Sequence, residues 1–252
     1  MNNSYSTTIP TQDEKFAEHE WIKILMAVIS SLSMFGSITI IVTYFLFENL
    51  RTTSRKILVY ISIGDFFTVF PYLVIRWYNS ADNPDRDPDK YSKSHNCQAQ
   101  SFVSTTAVMW SFMWTSSLAI YLYLSVVKQR VEMAEKLMVL FHGINWGVPL
   151  VLVGVALCCR ALGFHEANAS GGWCWIKRHP EHWETVLWML ACGKFCEIVS
   201  YFVNEILCFC VYRKVKEEVS MAVEVEVGWG GGVRWCRMFS NSRNLRKIAL
   251  KI

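Results

Sequence analysis

Charge is scarce in this chain. Only 18% of its 252 residues are Asp, Glu, Lys or Arg, against about 25% in soluble domains. That shortage argues against an ordinary water-soluble globular domain. The marks of catalysis are missing too: there is no G-x-S-x-G, no Walker-type phosphate loop and no H-E-x-x-H. No enzymatic activity and no cofactor is expected. His179 and His182 flank Pro180 and Glu181 without further ligands at metal-site spacing, so the pair reads as a surface turn and no metal is expected. Residues 1–20 are polar and acidic and lack the basic and apolar regions of a cleaved signal peptide. The first apolar run is then its own insertion signal. The net charge of +4 is modest and points to no nucleic-acid partner.

Long apolar runs are what the chain does have. The hydrophobic set makes up 52% of it and the mean hydropathy is +0.23. A bilayer core of about 30 Å needs about 20 helical residues to cross, and five runs reach that scale. They are 24–47; 57–75, broken by Asp65 and Pro71; 97–127; 137–159, with His142 and Pro149; and 186–212, with Lys194, Glu197 and Glu205. The predicted fold class is an all-α membrane protein with five spanning helices. The run 97–127 organises it: 31 residues hold no Asp, Glu, Lys, Arg or His but many Ser, Thr and Gln. A span so rich in hydroxyls is expected inside a bundle, where neighbouring helices meet its polar atoms.

Orientation follows from basic residues in short loops. Segments 48–56, 128–136 and 213–218 hold nine Lys and Arg in 24 residues, among them Arg51, Arg55, Lys56, Lys128 and Arg130; segments 1–23, 76–96 and 160–185 hold nine in 70. The dense set is expected in the cytoplasm, with 1–23 outside and 213–252 a disordered basic cytoplasmic tail able to meet anionic lipid. Trp21, Trp77, Tyr78, Trp183 and Trp188 fall at the outer interface. Asn168-Ala169-Ser170 is a glycosylation acceptor in an outer loop, and Asn2-Asn3-Ser4 also fits the pattern. The cysteine count is nine. Cys97 and Cys174 both fall on the outer side, where oxidation is permitted, and are expected to pair.

Charges inside a span cost about 2.5–3.5 kcal/mol each at mid-depth. Lys194, Glu197, Tyr201 and Glu205 fall on one face of the fifth run at about 100° per residue, so this face is expected to meet protein or a wet cavity. Lys194 and Glu197 are spaced to pair. The stripe reads either as a ligand or switch site or as a polar packing seam. Asp65 reads either as a cation or switch site or as a neutral, hydrogen-bonded structural acid.

Ser62-Ile63-Gly64-Asp65-Phe66, Phe112-Met113-Trp114, Ala119-Ile120-Tyr121-Leu122-Tyr123-Leu124-Ser125, Asn145-Trp146-Gly147-Val148-Pro149-Leu150 and Gly172-Trp173-Cys174-Trp175-Ile176 are similar to stretches of the G-protein-coupled receptors, in particular their cyclic-AMP-receptor-like, secretin-like branch. The resemblance covers residues 22–216. It implies the first five helices of a heptahelical bundle in the plasma membrane, a Cys97–Cys174 bridge and an unknown extracellular ligand in an outer cavity lined by Lys194, Glu197, Tyr201, Glu205, Trp114 and Trp175. It also implies a heterotrimeric G protein at the inner loops. Such receptors signal by moving a sixth helix, so the 252 residues are expected to be a truncated form, silent alone or acting as a non-signalling partner or oligomer of an intact receptor. A small transporter would usually show internal repeats, and the two halves show none.

Overall fold

The computed structural model describes residues 12–80, 95–164, 174–177 and 179–227. Asn2, Asn168 and the basic tail from 228 onward lie outside them. The elements are α1 (Gln12–Leu46), α2 (Thr53–Ser80), α3 (His95–Leu122), α4 (Val131–Cys158), strands β1 (Leu162–Phe164) and β2 (Cys174–Ile176), α5 (His182–Met189) and α6 (Phe195–Val227). A π-helical turn, Tyr123–Val127, ends α3, and a second, Leu190–Lys194, joins α5 to α6. Four stretches among the described residues are long and apolar enough to cross a bilayer: Ile24–Leu46, His95–Val127, Val131–Cys158 and His182–Ser220. The run 57–75 lies inside α2, whose 28 residues reach about 42 Å at 1.5 Å per residue.

Several boundaries differ from the sequence-based expectation. α1 starts at Gln12, inside the polar leader, because bilayer thickness limits the apolar part of a helix and not the helix itself. α6 runs to Val227, so residues 213–227 are helical and not a disordered tail. Lys214 reaches Glu217 at 3.5 Å and Glu218 at 3.1 Å, the one-turn pairs that sustain a helix in water. The fifth run is not one regular helix: Cys192 (φ −93°, ψ 25°) and Gly193 (φ 163°, ψ −57°) depart from helical values.

α3 is the hub. It packs against α2, α4, α6 and the β ribbon. Several of its polar side chains find partners there: the Ser111 hydroxyl donates to Asp65 Oδ1 at 2.8 Å, the Asn145 amide donates to Ser117 Oγ at 2.9 Å, and Ser116 and Ser200 lie 3.0 Å apart. The close approach of α2 and α3 requires Gly64, where a Cβ would lie 2.4 Å from Ser111 Oγ and 3.1 Å from Ala107 O. Asp65 is thus a hydrogen-bonded group of this seam.

Two apolar clusters fill the bundle. One, at the end of α4 that bears the ribbon, joins Met109, Val153, Ala156, Leu162, Ile176 and Cys192. The other, toward the opposite end of α3, joins Ile57, Trp114, Tyr121, Ala134, Met138 and Phe141, with Tyr60, Trp110 and Trp146 packed on it. α4 stops with Arg160 in the left-handed region (φ 56°), and the Ala161 amide donates to Ala156 O at 2.9 Å, a helix-ending turn. The chain then enters β1, which pairs antiparallel with β2 through Leu162–Ile176, Gly163–Trp175 and Phe164–Cys174. That ribbon is an addition to the predicted all-helical plan.

Candidate functional site

One face of α3 carries Ser104, Thr105, Val108 and Phe112, which lie within about 100° of arc at helical spacing. The face opens onto a cavity of about 230 Å³, closed by Trp175 of β2, by Cys192, Gly193 and Lys194 of the second π turn, and by Glu197 of α6. Each wall has a structural cause. Cys97, at the start of α3, is bonded to Cys174 with a Cα–Cα distance of 5.5 Å. The bridge holds β2 against α3, and the Ser101 hydroxyl donates to the Trp175 carbonyl. The indole of Trp175 then comes to lie over Gly193, where a Cβ would sit 3.7 Å from its Cζ2. The π turn widens the helix at this level and brings Cys192 and Gly193, both buried, to face α3.

The polar groups of the cavity fall into two kinds. Lys194 Nζ donates to Glu197 Oε2 at 2.7 Å, so the two charges neutralise each other as their spacing predicted. The hydroxyls of Ser104 and Thr105 are buried and have no hydrogen-bond partner among the described residues. The hydroxyl of Thr106 is likewise without a partner among the described residues, whereas farther along α3 Thr115 donates back to Ser111 O at 2.7 Å and Ser116 to Phe112 O at 3.1 Å.

Of the six residues expected to line an outer cavity, Lys194, Glu197 and Trp175 do so. Trp114 does not. It lies on the opposite face of α3, fully buried, with its ring 4.6 Å from Tyr60 and 5.0 Å from His142. Tyr201 sits one turn below the cavity, exposed, its ring 6.5 Å from that of Phe112. Glu205 is exposed, two turns below Glu197, about 12 Å along the axis. Depth removes these two, because the cavity exists only where the π turn opens the helix. Ser104, Thr105, Val108, Phe112, Cys192 and Gly193 escaped the sequence reading. Gly193 beside two intramembrane charges was the available signal, since glycine often marks a kink.

The basic residues of segments 48–56 and 128–136 sit at helix ends. Arg51 donates to Phe45 O at 2.8 Å and so caps α1. The backbone N–H of Arg55 donates to Thr52 Oγ1 at 3.4 Å in the first turn of α2, and Lys56 is exposed. Lys128 lies 5.8 Å from the Tyr123 ring centroid, and Arg130 is exposed before α4. His179 is 3.5 Å from Glu184, at the start of α5. Among the described residues, no three His, Cys, Asp or Glu converge as a metal site would require.

A helical membrane bundle, a disulfide from the head of its third helix to the ribbon beyond its fourth, and a cavity beneath that ribbon define a receptor-type architecture. The chain belongs to the family described as 7 transmembrane receptor (Secretin family), which matches residues 19–226. It is similar to G-protein coupled receptor 157 of Rattus norvegicus, 31% identical over 84% of this chain and 61% of the relative. It is also similar to that of Homo sapiens, 33% identical over 73% and 52%. Cyclic AMP receptor-like protein A of Dictyostelium discoideum is 26% identical over 88% of this chain and 57% of the relative. The chain spans about half to three-fifths of the length of these relatives. It is an integral membrane protein of a receptor family, and its relatives are receptors, not enzymes.

Proposed function

We propose that the chain supplies the ligand-receiving part of a plasma-membrane G-protein-coupled receptor. It crosses the bilayer five times, through 24–47, 57–75, 97–127, 137–159 and 186–212, with its amino end outside. The cavity beneath the disulfide-held ribbon receives an extracellular ligand, and Lys194, Glu197 and Trp175 contact it. Binding shifts the balance between two helix packings. Arg51, Arg55, Lys56, Lys128 and Arg130 face a heterotrimeric G protein, and Asn168 carries a glycan.

The observation that carries this reading is the cavity itself. It lies where α3, the ribbon and the π turn converge, on the side of the bundle poorer in basic residues. Orientation is tested by epitope tags at both ends in intact and permeabilised cells; an amino-terminal tag hidden until permeabilisation would overturn it. Coupling is tested with a chimera in which residues 1–216 replace the matching part of the human relative. At equal surface expression, G-protein activation by the intact relative and none by the chimera defeats the coupling reading. The 252 residues expressed by themselves are expected to give no output.

A second reading rests on the exposed side of α6. Tyr201 and Glu205 face away from the bundle beneath the half-exposed Lys194, and such groups in lipid are costly. Pairing with an intact receptor would cover them, and co-purification of the two chains tests it.

A further inference from the structure

The cavity's walls say what kind of molecule fits it, an inference that rests on the ligand-cavity reading above. Size comes first. At about 230 Å³ the space exceeds the roughly 150 Å³ that accepts benzene in an engineered apolar core. It falls short of the roughly 300–1,000 Å³ of drug-sized sites. The part of the site that these residues enclose accepts a single ring or a short chain with a few substituents.

Charge comes second. The charged groups on the wall are Lys194 and Glu197, already joined at 2.7 Å. Among the described residues, no unpaired charge on this wall awaits a counter-charge. An anionic ligand would have to displace Glu197 from Lys194, and a cationic one Lys194 from Glu197. Either would leave a charge without its partner near the apolar surfaces of Val108, Phe112 and Trp175.

Hydrogen bonding comes third. Ser104 and Thr105 are adjacent, are 1% and 5% exposed, and carry buried hydroxyls with no hydrogen-bond partner among the described residues. A buried hydroxyl without a partner costs about 1–3 kcal/mol, so a group that engages these two gains what the protein forgoes. A hydroxyl or carbonyl on the ligand does so once the two side chains turn their buried hydroxyls toward the cavity.

The geometry points to a small, uncharged amphiphile as the ligand: an apolar body of one-ring size lying between Phe112 and Trp175, with one neutral oxygen held by Ser104 and Thr105. The ion pair stays closed while it is bound.

Four probes of one size separate the terms: benzyl alcohol, toluene, benzoate and benzylamine, the last cationic at neutral pH. The readout is the thermal midpoint of the detergent-purified full chain. It is compared with the Ser104→Ala, Thr105→Val double variant and with Val108→Trp, which fills the cavity. Taking the difference from Val108→Trp removes solvent effects on the micelle. Benzyl alcohol at ten times its Kd should raise the midpoint by about 3–5 °C in the native chain only, with smaller shifts from the other three. Thr106→Val removes a buried hydroxyl that is also unpartnered but does not line the cavity, and it should keep the full response. Toluene matching benzyl alcohol, or an unchanged response in the double variant, overturns the hydroxyl assignment. A larger cavity-dependent shift with benzoate or benzylamine overturns the neutral class and leaves the cavity reading standing. If no probe distinguishes the native chain from Val108→Trp, the ligand-cavity reading itself fails.

Discussion

From Cys97 to Val127, α3 and its π turn bring hydroxyls and amides into the membrane but no charge. Several of these groups meet neighbouring helices: Ser111 meets Asp65, Ser116 meets Ser200, and Ser117 meets Asn145. From Lys194 to Glu205, the other polar span brings three charges. Two of them pair with each other on their own helix surface, and Glu205 has no partner among the described residues. The difference follows from magnitude. An uncharged hydrogen bond between membrane helices contributes on average about 0.6 kcal/mol, up to about 1.7, which packing can absorb or exploit. A charge at mid-depth costs about 2.5–3.5 kcal/mol, so it is neutralised locally, as Lys194 and Glu197 do for each other; the exposed Glu205 stands where lipid makes a charge costly. The site lies where the two kinds of span touch, with hydroxyls on one wall and a closed ion pair on the other.

The comparison breaks most readily at the disulfide, which ties α3 to the site. Replacing Cys97 and Cys174 by Ala opens a loop with a sequence separation of 77. Stability should fall by about 2–5 kcal/mol, read as thermal unfolding in detergent with and without reductant. Cys208→Ala, at an exposed position on α6, should change nothing. Next in size is Gly64→Leu. It forces a side chain into the α2–α3 seam, where a Cβ alone would meet Ser111 at 2.4 Å, at a cost of about 1–3 kcal/mol. Gly36→Leu on α1, with nothing within 4 Å, is the matching control, and equal losses at the two sites would contradict the central place given to α3.

Asn145→Ala removes the donor to Ser117 and should cost about 0.6–1.7 kcal/mol, measured by the same unfolding assay. The smallest effect belongs to α6. A double-mutant cycle on Lys194 and Glu197 should yield a coupling of about 0.2–0.5 kcal/mol, as for a pair on a helix surface that water reaches, which the half-exposed Lys194 allows. A coupling as large as that of the Asn145–Ser117 pair would mean that the ion pair is embedded in protein, and the contrast between the two spans would dissolve.

Much of this was legible beforehand, because hydropathy and cysteine placement act locally or through topology alone. A run of 31 residues without charge has one economical environment, and the placement of Cys97 and Cys174 on the same side of the membrane made their bridge readable. Lys194 and Glu197 paired because three residues along a helix make neighbours. The cavity was only half legible. Trp114 lies on the far face of α3, and Tyr201 and Glu205 lie too deep, since a projection at 100° per residue carries angle but not depth and assumes an unbroken helix.

What the sequence by itself determined is that the chain is a helical membrane bundle, which helix forms its hub and which two cysteines join. Each follows from the free energy of moving a residue type between water and hydrocarbon, a property of composition and order. Only the tertiary structure decided that a π turn at Leu190–Lys194 opens the helix, that Trp175 closes over Gly193, and that Ser104 and Thr105 keep their hydroxyls free while Thr115 and Ser116 do not. Those outcomes depend on which backbone approaches which, and no single segment carries that information.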